Sequence, residues 1–170
     1  MWHFMKTTGK EFGLEINKNV DERYDIEKST KVAAQYLKKA KERFGSWTLA
    51  AAAYNAGNYG VAKRLETQQV SNYYDALLPD ETERYVFRIL ALKEVISNPK
   101  KYGFVFDKGD LYSHPKTKLI KVDTAITNIA SFAKKFDLNY KEFKALNPWL
   151  RQNKLNNKSR KEYYIKILAK

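Results

Sequence analysis

The chain has 170 residues, 44% hydrophobic and 14% aromatic, so it can bury a core as one domain or as two small ones. It contains no cysteine, which excludes disulfide scaffolds, zinc-thiolate sites and cysteine nucleophiles. The net charge of +13 predicts attraction to a polyanion, whether nucleic acid, anionic lipid or a carboxylate-bearing wall polymer.

The positive charge is unevenly distributed along the chain. Residues 1–104 hold 17 basic and 13 acidic side chains, whereas residues 105–170 hold 15 basic and 6 acidic ones. An anion-facing surface and a coat of solvated lysines would both give this pattern. No apolar run approaches the ~20 residues needed to cross a bilayer, and no segment of signal-peptide type follows Met1. We therefore expect neither an anchor nor a targeting address in this segment.

The first long element that the pattern predicts is a helix over residues 26–44, with Gly45 just past its end. Ser46 is expected to cap a second helix, which runs through Ala56 and stops at Gly57. Alanines at positions 50–53 leave this second helix without bulky side chains, so it can lie close to its neighbours. The apolar positions that define the first helix are Ala33, Tyr36, Leu37, Ala40 and Phe44.

A third helix is predicted to start at Pro79 and Asp80, where Glu83 completes the arrangement of a capping box, and to end near Ser97, before Pro99. Residues 100–115 show no sustained periodicity of apolar residues and are interpreted as a linker, with the domain boundary at 105–117. The apolar side of the third helix is assigned to Tyr85, Val86, Ile89, Leu90 and Leu92.

The last third of the chain changes pattern to strand, helix, helix, strand. Residues 119–122 and 163–168 are predicted to pair as strands, and Thr124 is expected to cap a helix that carries Ile126 and continues to Phe136. A second helix is predicted to end at Asn147. The expected fold is therefore mainly α: a helical domain, followed by a small α+β module of βααβ order over residues 118–170.

Spacing alone identifies no active site. His3 and His114 have no carboxylate partners at metal-ligand spacing, and neither a phosphate-binding loop nor a GxSxG turn occurs. A packed or solvated histidine is the ordinary interpretation of both. We therefore predict no metal site.

Four segments nevertheless match the motifs of one known family in order and spacing. They are MWHFMKTTGKEFGLEIN, VDERYDIEKSTKVAAQYL, AAAAYNAG and LPDETERYV, the last followed by NPKKYGF. These resemble the GLWQFM and TGxxYGL, VDERxDPxKST, AYNAG and LPxETxxYV motifs of the lytic transglycosylases, in particular the lysozyme-like domain of the membrane-bound murein D type. The resemblance covers residues 1–104 and implies the C-terminal part of that domain. Residues 118–170, with the phrase ALNPWL, resemble a divergent LysM-like module.

The resemblance implies cleavage of the bond between N-acetylmuramic acid and N-acetylglucosamine, with closure of a 1,6-anhydro ring, a reaction that needs no metal and no cofactor. One glutamate serves there as general acid and then base, in a Glu-Ser pair upstream of the GLWQFM segment. Glu11, Glu22 and Glu27 lie downstream of that segment, so no catalytic residue is assigned and the general acid is expected upstream of Met1. The parent protein is expected to be an enzyme and this chain alone to be inactive.

The resemblance also implies four substrate-binding residues. His3 stands where the family has a glutamine near the sugar, Tyr54 and Asn55 would border the glycan cleft, and Tyr85 would orient the catalytic glutamate. The alternatives are a packed surface histidine, a buried tyrosine, a helix-terminating asparagine and a core tyrosine.

The implied partners are peptidoglycan glycan strands, and the implied location is the cell envelope or periplasm. A non-catalytic glycan-binding protein and, for the last third, a packed spacer remain as alternatives. Nucleic acid is supported by charge alone and is not expected as a partner. The sequence leaves the oligomeric state open.

Overall fold

The computed structural model describes residues 2–169 and contains, within that range, seven α-helices and one two-stranded antiparallel sheet. The expected mainly helical fold with a small α+β module is confirmed. Short 3₁₀ turns lie at Glu22–Tyr24, Pro99–Tyr102 and Lys108–Asp110. The regular elements are α1 (Lys6–Glu11), α2 (Ile26–Phe44), α3 (Trp47–Ala56), α4 (Asn58–Gln68), α5 (Asp80–Ser97), β1 (Thr117–Val122), α6 (Ile129–Lys134), α7 (Tyr140–Leu146) and β2 (Tyr163–Leu168).

The chain divides into two compact units, one of which is discontinuous in sequence. The first unit joins the part of the chain up to Val32 with the part from Ser113 onward, and the second comprises Ala33–Tyr112. The first residues of α2 therefore belong to the first unit and the rest of α2 to the second. The linker and boundary expected at residues 105–117 stay a prediction.

The second unit contains the helices that the sequence predicts best. Helix α2 has the predicted bounds, and α3 begins after Ser46, whose hydroxyl accepts a hydrogen bond from the Leu49 N–H. Gly57 ends α3 with a backbone φ of +83°, a value that a residue with a Cβ atom rarely adopts. Ala50, Ala52 and Ala53 of α3 are buried as expected, and the Tyr36 hydroxyl donates to the Ala53 carbonyl at 2.9 Å. Close packing here follows from the small side chains.

Two expectations for the second unit are wrong. Helix α5 has no capping box. Pro79 occupies the N-cap position and Asp80 is already helical, so the Asp80 side chain does not serve as the N-cap. The predicted apolar side of α5 is only partly buried: Val86 is 7% exposed, but Ile89, Leu90 and Leu92 are 43–62% exposed. Helix α4, a polar helix of 11 residues, was not predicted from the sequence.

In the first unit, β1 and β2 pair in the register Thr117↔Leu168 to Val122↔Tyr163, as the strand pattern predicts. Helix α6 starts later than expected. Thr124 does not cap it, because the Asn128 side chain accepts from the Ser131 N–H at 3.0 Å and begins the helix at Ile129. Ile126 lies before the helix and forms two backbone hydrogen bonds with Leu155, each 2.9 Å long.

The core of the first unit includes a residue from the far end of the chain. Val20 is fully buried in one hydrophobic cluster with residues of the βααβ module, among them Ile129, Phe143 and Leu150. Among residues 2–169, no helix is long and apolar enough to span a membrane. The same residues contain no group of three or more His, Cys, Asp or Glu side chains that could hold a metal ion.

Candidate functional site

The end of α3 is joined to the first turn of α5 by the side chain of Asn55. Its Oδ1 accepts a hydrogen bond from the Thr82 hydroxyl at 2.8 Å, and its Nδ2 donates to Glu81 Oε1 at 3.1 Å. Thr82 is 2% exposed, so Asn55 is the partner of a buried hydroxyl. The Asn55 amide is therefore held in one orientation, with one N–H left to donate elsewhere.

Tyr54 precedes this asparagine and is half-buried. Its ring meets the ring of Tyr36 edge-on, with centroids 5.8 Å apart and an interplanar angle of 86°. Tyr36 itself is buried and hydrogen-bonded to the backbone of α3. Edge-to-face packing on a buried ring fixes the position of Tyr54.

Tyr85 lies one turn after Glu81 on α5 and is also half-buried. Burial raises the pKa of the Tyr85 phenol, and the negative charge of Glu81 raises it further. The hydroxyl thus stays protonated at neutral pH and can donate a hydrogen bond to a carboxylate or a sugar oxygen.

Glu81 is the functional candidate that the sequence analysis missed. It is an exposed carboxylate that accepts from Asn55 and acts electrostatically on Tyr85. The signal was available, because Glu81 is the acidic residue of the ETxxYV motif. We name Asn55, Glu81, Thr82 and Tyr85 the Asn55 cluster. An amide, a carboxylate and a phenol in one place suit the hydroxyl and acetamido groups of a sugar.

His3 lies in a second location, the first unit. It is exposed and lines a cavity of about 340 Å³ together with Trp2, Phe4, Arg23 and Tyr24, which we name the His3 pocket. The volume falls within the range of small-ligand sites, about 300–1,000 Å³. Three of the five lining side chains are aromatic, a lining suited to the apolar faces of a ring-shaped ligand.

The guanidinium of Arg23, which lines this pocket, already forms hydrogen bonds within the protein. Its Nε and Nη2 donate to the two carboxylate oxygens of Asp21 at 2.9 and 2.6 Å, and its Nη1 donates to the Phe4 carbonyl at 2.8 Å. Burial alone would raise the pKa of Asp21, but the hydrogen bonds and charge of Arg23 outweigh it, so this pKa lies below its usual range. The positive charge of Arg23 is therefore neutralised by Asp21.

The structure brings Asn55 and Tyr85 together around Glu81 in the second unit, where Tyr54 also lies, and it places His3 in the first unit. Sugar contacts by these four residues stay predictions.

Comparison with known proteins matches two parts of the chain. Residues 1–76 match the model of the transglycosylase SLT domain, and residues 118–170 match the soluble lytic transglycosylase C-terminal LysM-like domain. Among curated proteins, the chain is similar to membrane-bound lytic murein transglycosylase D of Escherichia coli K12 and of E. coli O6:H1 (strain CFT073). Each is 34% identical over 108 residues, which cover 61% of this chain and 24% of the relative. The matched segment thus spans about a quarter of the length of these relatives.

Proposed function

Because residues 1–76 match the transglycosylase SLT domain and residues 118–170 match the soluble lytic transglycosylase C-terminal LysM-like domain, we propose that the chain is part of a peptidoglycan lytic transglycosylase. The substrate is the glycan strand, and the reaction is cleavage between N-acetylmuramic acid and N-acetylglucosamine with 1,6-anhydro ring formation. The proposed location is the cell envelope.

The observation that carries this proposal is the Asn55 cluster. Asn55 comes from the AYNAG segment and Glu81 and Tyr85 from the ETERYV segment, and hydrogen bonds join the two motifs at 2.8 and 3.1 Å. In the proposed enzyme, Asn55 and Tyr54 form a wall of the glycan cleft. Tyr85 donates its hydroxyl proton toward the general acid and helps to set the pKa of that acid.

The chemistry needs a single carboxylic acid. It protonates the leaving oxygen, and the 6-hydroxyl of the muramic sugar then attacks its own anomeric carbon while the same carboxylate takes up the hydroxyl proton. No glutamate of residues 1–170 matches the Glu-Ser pair of the family, so we assign the general acid to a residue outside this segment. This segment supplies wall-binding and cleft residues.

The test uses purified sacculi. We expect the 170-residue chain to sediment with sacculi and to release no anhydromuropeptides, as measured by mass spectrometry of the supernatant. The native protein, purified from its source, should release them. Absence of sedimentation, or anhydro products from the 170-residue chain itself, would contradict the proposal.

A non-catalytic glycan-binding protein is the second candidate, favoured by the lack of any residue here that matches the general acid. The two candidates differ in one outcome of the same experiment, since a native protein that binds sacculi but releases no anhydro product supports the second one.

A further inference from the structure

Arg151 of the LysM-like module contacts the wall of the His3 pocket. The guanidinium carbon of Arg151 lies 4.0 Å from the centre of the Tyr24 ring, and Tyr24 is one of the five residues that line the pocket. A guanidinium stacked on a tyrosine face is attracted by the π-electrons of the ring and keeps its N–H groups available at its edges. One of these groups, Nη1, donates to the Pro148 carbonyl at 3.2 Å.

The backbone holds Arg151 in this position. Its N–H donates to the Asn19 carbonyl at 2.8 Å, and the Asp21 N–H donates to the Trp149 carbonyl at 2.9 Å. Val20, between the two bonded residues, is fully buried in the module core. The turn before Arg23 and the loop that carries Arg151 are thus joined as paired extended segments, so Arg151 does not depend on a flexible linker for its approach to Tyr24.

The charge of Arg151 is available to a ligand. Its side chain is exposed, and no residue between 2 and 169 forms an ion pair with it. Asp21 is within electrostatic reach of Arg151, but both Asp21 oxygens accept hydrogen bonds from Arg23. Two guanidinium groups therefore share one carboxylate, which leaves one net positive charge beside an aromatic pocket.

We propose that Arg151 is a specificity-determining residue of the His3 pocket, and that it selects glycans bearing a carboxylate over neutral glycans of the same length. This inference rests on the proposed function. The aromatic rings would contact the sugar faces, and the guanidinium would pair with a carboxylate, for which its planar N–H groups are well shaped. In a peptidoglycan strand this carboxylate is either the lactyl group of a muramic sugar without a peptide stem or, where a stem is joined to the lactyl group through an amide, a carboxylate of that stem.

The experiment measures the affinity of the 170-residue chain for three probes by calorimetry. The probes are a muramyl tetrasaccharide with free lactyl groups, the same glycan with peptide stems, and chitotetraose, which is neutral. Arg151→Gln should weaken binding of a carboxylate-bearing probe by about two- to fivefold and leave chitotetraose unchanged, because an exposed ion pair contributes little and only to the charged ligand. Arg151→Lys keeps the charge and should retain part of the preference.

Arg160→Gln is the matched control. Arg160 lies in the same connection between α7 and β2, and its Nη2 pairs with Asp123 Oδ2 at 2.8 Å, so this change removes one positive charge away from Tyr24. It should alter none of the three affinities. Thermal unfolding of each variant checks that the fold is intact.

The outcomes separate the two claims. Loss of affinity for the peptide-bearing probe alone assigns the stem carboxylate, and loss for the probe with free lactyl groups alone assigns the lactyl group. Loss for both charged probes shows that Arg151 pairs with either carboxylate. Equal loss for all three probes, or no loss for any, overturns the role of Arg151 while the proposed function stands. If the unmodified chain binds none of the probes, the proposed function and this inference both fail.

Discussion

The bond between Asn55 and Thr82 gives the sharpest test of the candidate site. In Asn55→Ala, the Thr82 hydroxyl, buried in a residue that is 2% exposed, loses its acceptor, and the exposed Glu81 loses an amide partner. A buried polar group left unpaired costs about 1–3 kcal/mol, and the exposed bond to Glu81 adds little. We therefore expect the free energy of unfolding to fall by about 2 kcal/mol, which corresponds to about 4–8 °C in Tm for a chain of this size.

A double-mutant cycle isolates this bond. Thr82→Val replaces the hydroxyl by a methyl group of similar shape, so the double variant has neither the buried hydroxyl nor its amide partner. The two single changes should sum to more than the double change, by about 1 kcal/mol. The measurement is thermal unfolding followed by circular dichroism at 222 nm, with affinity for sacculi determined on the same preparations.

The result that would refute this reasoning is additivity. If the single effects add within about 0.5 kcal/mol, the two side chains are not coupled as the geometry requires. An unchanged Tm combined with lost affinity for glycan would instead assign Asn55 to the substrate and not to the joint between α3 and α5.

Three further predictions concern packing, pH and charge. Ala53→Leu should destabilise the second unit by about 1–3 kcal/mol in urea unfolding, because Ala53 is fully buried and the added side chain has no space; an unchanged midpoint would contradict close packing of α3. Burial alone would raise the pKa of Glu15, but hydrogen bonds from Lys161 and Tyr163 outweigh it, so this pKa lies below its ordinary 4.5. The ionised Glu15 therefore stabilises the fold fully above that value, and this contribution is lost as pH falls through the folded-state pKa. Glu15→Gln should therefore lower stability at neutral pH and flatten its decline toward acid in urea titrations, whereas parallel curves would refute the role. Finally, duplex DNA should bind weakly, with fluorescence anisotropy showing no tight complex at physiological salt; tight binding that declines linearly with log salt would favour the nucleic-acid interpretation.

The helices and strands with clear local signals followed from the sequence by itself. The spacing of apolar residues located α2, the pair Ser46 and Gly57 set both ends of α3, and alternation located β2. Each signal lies within a few residues, because capping and helical or strand periodicity are short-range effects. The local rule failed at Thr124, where Asn128 offers a better cap and the bonds of Ile126 to Leu155 keep the preceding residues extended. The resemblance to the family motifs identified Asn55 and Tyr85 as candidate site residues, but not Glu81 and Thr82.

Only the tertiary structure decided which distant residues meet. Asn55 bonds to a residue 26 positions away, and the Asn19 side chain accepts from the N–H of a residue 137 positions away. No periodicity encodes such pairs, because they depend on how whole elements pack. Burial of Val20 in the LysM-like core, and with it the placement of Arg151 on Tyr24, follows from the pairing of two segments that are far apart in the chain. The sequence thus determined the helices, the strands and the kind of chemistry, whereas long-range packing placed the charge of Arg151 beside the His3 pocket.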